Sequence, residues 1–102
     1  MHKRKNFDPL EPPPRWLNCP RKATSVLVDK FVAFKVPLST KFDVNVPLES
    51  RWTMAMLFDS VRRSFNGKIG LIIDLTNTTR FYDAENEVRK CDVKYVKLNC
   101  KG

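Results

Sequence analysis

Polar side chains directly follow an apolar segment in the middle of the chain and offer several reactive or binding groups. The apolar segment covers residues 69–75, and the groups are a carboxylate, hydroxyls, an amide and a guanidinium, carried by Asp74, Thr76, Asn77, Thr78 and Arg80. A guanidinium can hold a phosphate through two parallel hydrogen bonds. A phosphate-binding rim is one interpretation. The other is an ordinary loop, in which Asp, Asn and Thr bond to nearby backbone and Arg80 is solvated.

The cysteines are the candidate nucleophiles, but their spacing does not fit a phosphate loop. In such a loop an arginine follows six residues after the cysteine, and together with backbone N–H groups it holds the phosphate and keeps the thiol ionised. Ser25 and Lys97 occupy that place after Cys19 and Cys91, and only two residues follow Cys100. The sequence also lacks a Gly-x-x-x-x-Gly-Lys loop and a His-Glu-x-x-His motif. It therefore contains no complete catalytic site of these types.

Metal and cofactor sites are not expected either. No Cys-x-x-Cys pair is present, and the single histidine, His2, lies near the N-terminus. An odd number of cysteines without a signal peptide is typical of reduced thiols in the cytosol or nucleus. No stretch approaches the ~20 apolar residues of a membrane span.

The elements that would position the polar cluster follow an α/β order. β-Branched and aromatic residues predict strands at residues 31–36 and 93–98, and the continuous apolar run predicts a strand at residues 69–75. Residues 37–51 are predicted as loop, and residues 83–90 as a short charged helix. Because ligands collect at the carboxyl ends of parallel strands, the polar cluster after residue 75 lies where a site is expected.

The clearest helix prediction covers residues 53–65. Its apolar residues recur three and four positions apart, which places them on one face. Thr53 is the expected N-cap, and Asn66-Gly67 provides the stop. The members of this apolar face are Met54, Leu57, Phe58, Val61 and Phe65.

One long helix is too little to cover the predicted sheet. A strand that is apolar throughout is typical of a sheet with helices on both faces. A complete domain of that kind is larger than the 102 residues present. The pattern therefore predicts the N-terminal, incomplete portion of a mostly parallel α/β domain with flanking helices.

The N-terminal region and the net charge suggest a partner. Residues 1–14 contain three consecutive prolines and several charges, which predict a flexible tail, and order is expected to begin near Trp16. Trp16 is interpreted as an anchor to the domain, with stacking on an RNA base as the alternative. The chain has 19 Lys and Arg against 11 Asp and Glu, for a formal net charge of +8. Such an excess favours a polyanion such as nucleic acid.

Four segments together resemble the RNA 5′-triphosphatase domain of metazoan mRNA-capping enzymes. The most specific is Asp-Leu-Thr-Asn-Thr-x-Arg-Phe-Tyr-Asp at residues 74–83; the others are residues 14–21, 31–38 and 95–102. The resemblance runs from about Arg15 to the last residue. A related RNA phosphatase that interacts with ribonucleoprotein complexes is also similar, although residues 15–20 favour the capping enzyme.

The resemblance implies a dual-specificity-like cysteine-phosphatase fold that removes the γ-phosphate of 5′-triphosphorylated RNA without metal or cofactor. It implies nuclear localisation, a guanylyltransferase domain in the full-length protein and contact with the transcription machinery. Asp74 resembles the acidic residue beside the pocket, and Thr76, Asn77, Thr78 and Arg80 its rim. Arg15, Arg21 and Lys22 are candidate RNA contacts. The family's His-Cys-x-x-Gly-x-x-Arg loop is absent from the sequence.

Two hypotheses follow for the chain as it stands. In the first, residues 15–102 are a truncated RNA triphosphatase domain, a fragment or truncated product that is inactive alone. In the second, the chain is a non-catalytic basic RNA-binding module. The related RNA 5′-di- or triphosphate phosphatase, acting outside capping, is a variant of the first.

Overall fold

The computed structural model describes residues 8–100. Within this range the chain forms two α-helices and a two-stranded sheet, together with short 3₁₀ turns. The principal elements are α1 (Met54–Phe65), β1 (Leu71–Asp74), α2 (Ala84–Glu87) and β2 (Lys94–Lys97). The 3₁₀ helices are Trp16–Asn18, Thr40–Asn45, Leu48–Ser50 and Arg89–Cys91. Two of them lie in residues 37–51, which the sequence predicts as loop. His2 lies outside the described residues.

The long helix forms where its periodicity predicts it. The Thr53 side chain accepts a hydrogen bond from the Met56 N–H at 3.3 Å, which satisfies one free donor of the first turn. Asn66 ends the helix in the left-handed conformation, with φ of 51°. Leu57 and Val61 are buried, so the predicted apolar face is the packed one. No helix in residues 8–100 is long and apolar enough to cross a membrane.

The two strands pair in parallel, which confirms the small α/β architecture predicted from the sequence. Leu71 lies opposite Lys94, and Asp74 opposite Lys97. The connection between them contains α2, as a parallel pair requires a crossover. Because both strands run in the same direction, their carboxyl ends meet at one edge, where the polar cluster begins.

The strand predicted for residues 31–36 is wrong as a regular element. In the structure this segment makes only isolated antiparallel bridges, Lys22 to Phe34 and Leu27 to Phe31. Its β-forming residues set an extended conformation. A strand also needs a continuous backbone partner, however, and none of the described residues supplies one along the whole segment.

The core is built from residues far apart in sequence. Trp16 is 4% exposed, and its indole N–H donates to the Val36 carbonyl at 2.7 Å. This confirms the anchor interpretation, and the burial contradicts the RNA-stacking alternative because the ring is covered by protein. Phe42, Leu57 and Val88 are fully buried in the same core.

One face of the sheet is open. Leu71 and Ile73 are 47% and 44% exposed, whereas Ile72 between them is buried. On β2 and beyond it, Val96 and Leu98 are also exposed. The apolar run of residues 69–75 is thus buried on one face only.

Candidate functional site

The carboxylate of Asp74 is the centre of the polar cluster at the end of β1. Its Oδ1 accepts hydrogen bonds from the backbone N–H of Thr76 at 2.7 Å and from the Thr76 hydroxyl at 2.6 Å. Its Oδ2 accepts from the hydroxyls of Tyr82 and Tyr95, the latter at 2.7 Å. Each carboxylate oxygen therefore has two donors, as a buried anion requires.

Lys97 completes this cluster from β2. Its ammonium lies 3.5 Å from Asp74 Oδ1 and donates to the Thr76 carbonyl at 2.8 Å and to the Thr76 hydroxyl at 3.0 Å. The Lys97 side chain is 17% exposed, so its charge is partly shielded from water. The parallel register brings Lys97 opposite Asp74 and so makes the contact possible.

The hydrogen bonds keep Asp74 ionised despite its burial. Burial alone would raise the pKa of Asp74, but the bonds from Thr76, Tyr82 and Tyr95 outweigh it and lower the pKa to about 2. Burial and the hydrogen bond to Asp74 raise the pKa of Tyr82 above its usual value. Asp74 is therefore an anion at neutral pH and has no proton to donate; in this arrangement it holds the loop that follows β1.

The low pKa makes Asp74 a source of acid sensitivity. Its folded pKa lies below the unfolded value of 3.8, so its stabilising effect is complete above about pH 4 and is lost as the pH falls toward 2. We expect the stability difference between the native chain and Asp74→Asn to shrink by about 1–2 kcal/mol between pH 5 and pH 2, after allowance for solvent screening. Urea unfolding of both proteins across this range measures it. A pH-independent difference would contradict the assignment.

The Arg80 guanidinium contacts the N-terminal segment. It donates to the carbonyls of Pro9 at 2.9 Å and Glu11 at 3.2 Å, and it lies 4.6 Å from the centre of the Phe81 ring. Residues 8–14, the described part of the predicted tail, form no helix or strand. They are nevertheless hydrogen-bonded to the domain through Arg80.

Loss of the Arg80 side chain should release this segment. In Arg80→Ala both carbonyl contacts are gone, and we expect faster hydrogen exchange at the Leu10 and Glu11 amides, with a stability loss of about 1 kcal/mol. Arg63→Ala is the matched control, since Arg63 makes an exposed ion pair with Asp59 on α1. Equal exchange rates at these amides in the two variants would show that Arg80 does not hold the segment.

The remaining rim residues lie in the loop after β1. The Thr78 hydroxyl accepts a hydrogen bond from the Arg80 N–H at 3.2 Å and so shapes the loop. The Asn77 side chain is exposed at its outer surface. The structure thus brings Asp74 and Thr76 together and places Asn77 and Thr78 beside them. The Arg80 backbone bonds to Thr78, whereas its guanidinium contacts the N-terminal segment.

The candidate RNA-contacting residues differ in the contacts that their side chains make with the rest of the domain. Arg15 is exposed, in the left-handed conformation before the first 3₁₀ helix. Arg21 donates to the carbonyls of Glu49 and Arg51 at 3.0 and 2.8 Å. Lys22 donates to the Ser64 hydroxyl at 3.0 Å. Arg21 and Lys22 therefore have structural contacts that a ligand would have to replace or share.

The three cysteines are free thiols and not members of a disulfide. All three are exposed and unpaired with one another, and the Cys91 thiol donates weakly to the Glu87 carbonyl at 3.6 Å. Within residues 8–100 there is no group of three His, Cys, Asp or Glu side chains that could hold a metal ion.

Sequence reasoning missed three members of the cluster: Tyr82, Tyr95 and Lys97. Tyr95 and Lys97 are two residues apart on β2, so strand alternation puts them on one face, and parallel pairing with β1 would have placed that face beside Asp74. Tyr82 gave no comparable signal. It enters the cluster through the fold of the intervening loop, which local spacing does not reveal.

Comparison with known proteins connects this chain to RNA-processing enzymes. It is 48% identical over 90 residues to the mRNA-capping enzyme of Danio rerio and 44% identical over 90 residues to that of Mus musculus. It is 39% identical over 92 residues to an RNA/RNP complex-1-interacting phosphatase homolog of Caenorhabditis elegans. Each match covers 88% of the chain. No protein-family model matches it.

The chain spans only part of these relatives: 14% and 15% of the two capping enzymes and 39% of the nematode phosphatase homolog. The identity nevertheless extends over most of the chain. The relatives are of two kinds, mRNA-capping enzymes and RNA/RNP complex-1-interacting phosphatases. The resemblance predicted from the sequence is confirmed, and the chain is a homologue of the mRNA-capping enzymes and of the RNA/RNP complex-1-interacting phosphatases.

Proposed function

We propose that this chain is the N-terminal part of a cysteine-phosphatase domain that removes the γ-phosphate of 5′-triphosphorylated RNA, the first step of mRNA capping in the nucleus. The observation that carries the proposal is the 48% identity over 90 residues to a capping enzyme. The parallel strands and the ordered loop after β1 support it, since they provide the edge at which such a site would be assembled.

The cluster around Asp74 has a supporting role in this proposal. Asp74 and Lys97 neutralise each other and fix Thr76, so the loop after β1 keeps one shape. Asp74, Thr76 and Tyr82 line a cavity of about 360 Å³ at the carboxyl end of β1. An ionised, fully hydrogen-bonded carboxylate cannot protonate a leaving group, so its contribution is to position the rim of the site.

The chemical step itself would come from a cysteine thiolate that attacks the γ-phosphorus. The phosphorus–oxygen bond to the β-phosphate would break, and water would then hydrolyse the phosphocysteine. The loop His-Cys-x-x-Gly-x-x-Arg, which would carry the thiolate, is absent from the sequence. We therefore expect the chain alone to release no phosphate. Incubation with γ-labelled triphosphate RNA tests this, with the Danio rerio enzyme as the active control.

A non-catalytic RNA-binding function is the second candidate, favoured by the net charge of +8. Binding to single-stranded RNA would then weaken with salt, with a slope of about −0.7 per neutralised phosphate. Comparison of 5′-triphosphate and 5′-hydroxyl RNA of one sequence separates the two functions. A preference for the triphosphate end supports the phosphatase role, and equal affinity supports the general RNA-binding role. A guanylyltransferase domain and the transcription machinery, as partners of a full-length protein, are part of the phosphatase proposal and not of the RNA-binding one.

A further inference from the structure

Residues 8–11, here called the strap, lie across the side chain of Arg80. One nitrogen of its guanidinium, Nη1, donates to the carbonyl oxygens of Pro9 at 2.9 Å and Glu11 at 3.2 Å. The oxygens of a phosphate bind the same guanidinium donors, and they bind them more strongly because they are charged. The backbone of the strap therefore occupies a place on Arg80 that a phosphate could take.

Asn45 holds the strap at a second point. Its side-chain amide donates to the Asp8 carboxylate at 3.0 Å and to the Leu10 carbonyl at 2.8 Å. Asp8 also accepts from the N–H groups of Leu10 at 2.9 Å and Glu11 at 3.1 Å, which gives the strap its turned shape. The bonds from Arg80 and Asn45 all lie at the exposed surface, where each contributes little because water competes for it. The strap thus has a defined position and is easily displaced from it.

The core, and not the strap alone, positions Arg80. Its guanidinium carbon lies 4.6 Å from the centre of the Phe81 ring and 5.8 Å from that of Phe42. Both rings are buried in the core. The Lys41 ammonium lies 5.7 Å from the centre of the same Phe42 ring, so a second cation is present on this surface. Because buried rings hold these cations by cation–π attraction, we expect the cations to stay in place when the strap leaves.

The strap is acidic, whereas the surface beneath it is basic. Its ionisable side chains are the carboxylates of Asp8 and Glu11, and the surface carries Arg80 and Lys41. Attraction between these opposite charges favours the docked strap. An RNA strand carries a negative charge at each phosphate and is attracted by the same cations. None of these four residues lines the cavity beside Asp74, so the strap and its surface are a separate feature of the fold.

We propose that the strap is an internal competitor of RNA for Arg80. In the absence of RNA, the carbonyls of Pro9 and Glu11 occupy the guanidinium. A phosphate of a bound RNA strand replaces them, and the strap detaches. Because only molecules with a free Arg80 bind RNA there, the docked strap lowers the apparent affinity. The choice of RNA as the competing anion rests on the proposed function, whereas the contacts of the docked strap do not.

The first test measures binding of the full chain to a single-stranded RNA of about 12 nucleotides, labelled with fluorescein at its 3′ end, by fluorescence polarisation. Asn45→Ala removes two bonds to the strap and leaves Arg80 intact, so we expect RNA to bind about fivefold more tightly than to the native chain. Adding Arg80→Ala to this variant should abolish the gain. Asn99→Ala, at an exposed side chain outside the strap contacts, is the matched control and should bind as the native chain does.

Hydrogen exchange in the native chain separates competition from a purely structural role of the strap. Addition of RNA should speed exchange at the Leu10 and Glu11 amides, because the turn that protects them leaves Arg80. A strap that only stabilises the fold would show unchanged or slower exchange. If Asn45→Ala fails to fold by circular dichroism, Asp8→Ala replaces it, since it removes the other partner of the same bond.

The outcomes decide both the inference and its ligand. Equal RNA affinity of the native chain and the variant with a loosened strap, or no RNA binding by either, would overturn the inference. Displacement of the strap by inorganic phosphate as readily as by RNA would overturn RNA as the competitor. The same RNA with a 5′-hydroxyl separates this inference from the proposed function: displacement by both RNAs supports the internal competitor even where a 5′-triphosphate is not preferred.

Discussion

Replacement of Asp74 by alanine should destabilise the chain by about 3–5 kcal/mol, because it leaves a partly buried ammonium without its anion. Lys97 loses its carboxylate partner, and the Tyr82 and Tyr95 hydroxyls lose their shared acceptor. A small domain has a total stability of about 5–15 kcal/mol, so this loss removes a third or more of the stability unless the total lies at the upper end of that range. Urea unfolding at neutral pH measures the loss.

The matched control is Asp59→Ala. Asp59 pairs with Arg62 and Arg63 on the exposed face of α1, at side-chain exposures of 41% to 75%. Such exposed pairs contribute about 0–1 kcal/mol, so this variant should stay close to the native stability. Equal losses in the two variants would show that the cluster around Asp74 is no more important than a surface ion pair.

Replacement of Trp16 by alanine should cost about 3–5 kcal/mol, the usual range for removal of a buried aromatic ring. The variant loses the indole contact to the Val36 carbonyl, and Lys35 loses the ring face that lies 3.8 Å from its ammonium. Thermal and urea unfolding measure this cost.

Trp16→Phe separates packing from hydrogen bonding at this position. It keeps an aromatic ring and loses the N–H. We expect the lost hydrogen bond to lower the free energy of unfolding by about 1 kcal/mol, in addition to the cost of the smaller ring. Iodide should quench the Trp16 fluorescence poorly in Trp52→Phe, where Trp16 is the remaining tryptophan. Strong quenching, together with a negligible cost for Trp16→Ala, would return Trp16 to the role of an exposed stacking platform.

The helix and the first strand could be predicted because the residues that determine them lie within their own segments. The helix at residues 54–65 follows from apolar spacing, an N-cap and a stop residue that all lie within its own span. The strand at residues 71–74 follows from a continuous apolar run. The extended segment at residues 31–36 was mistaken for a strand, because local composition sets the backbone conformation but does not supply a partner.

The place of the polar cluster after β1 is predictable from the sequence, but the partners of Asp74 are not. Asp74 stands where an apolar strand becomes polar, which spacing alone reveals. Its tyrosine and lysine partners come from 8 to 23 residues further along the chain, and only the parallel pairing of the two strands brings Tyr95 and Lys97 to it. Arg80 was assigned to the rim by adjacency, but its long side chain finds the carbonyls of the N-terminal segment instead.

The most direct test of the proposed function is a chimera of the Danio rerio mRNA-capping enzyme in which the 90 matched residues are replaced by those of this chain. If these residues form the scaffold of an RNA 5′-triphosphatase, the chimera should release γ-phosphate from triphosphate RNA within about tenfold of the unaltered enzyme, a change of about 1.4 kcal/mol in the barrier. A chimera that folds, as judged by a cooperative thermal melt, but releases no phosphate would contradict the proposal.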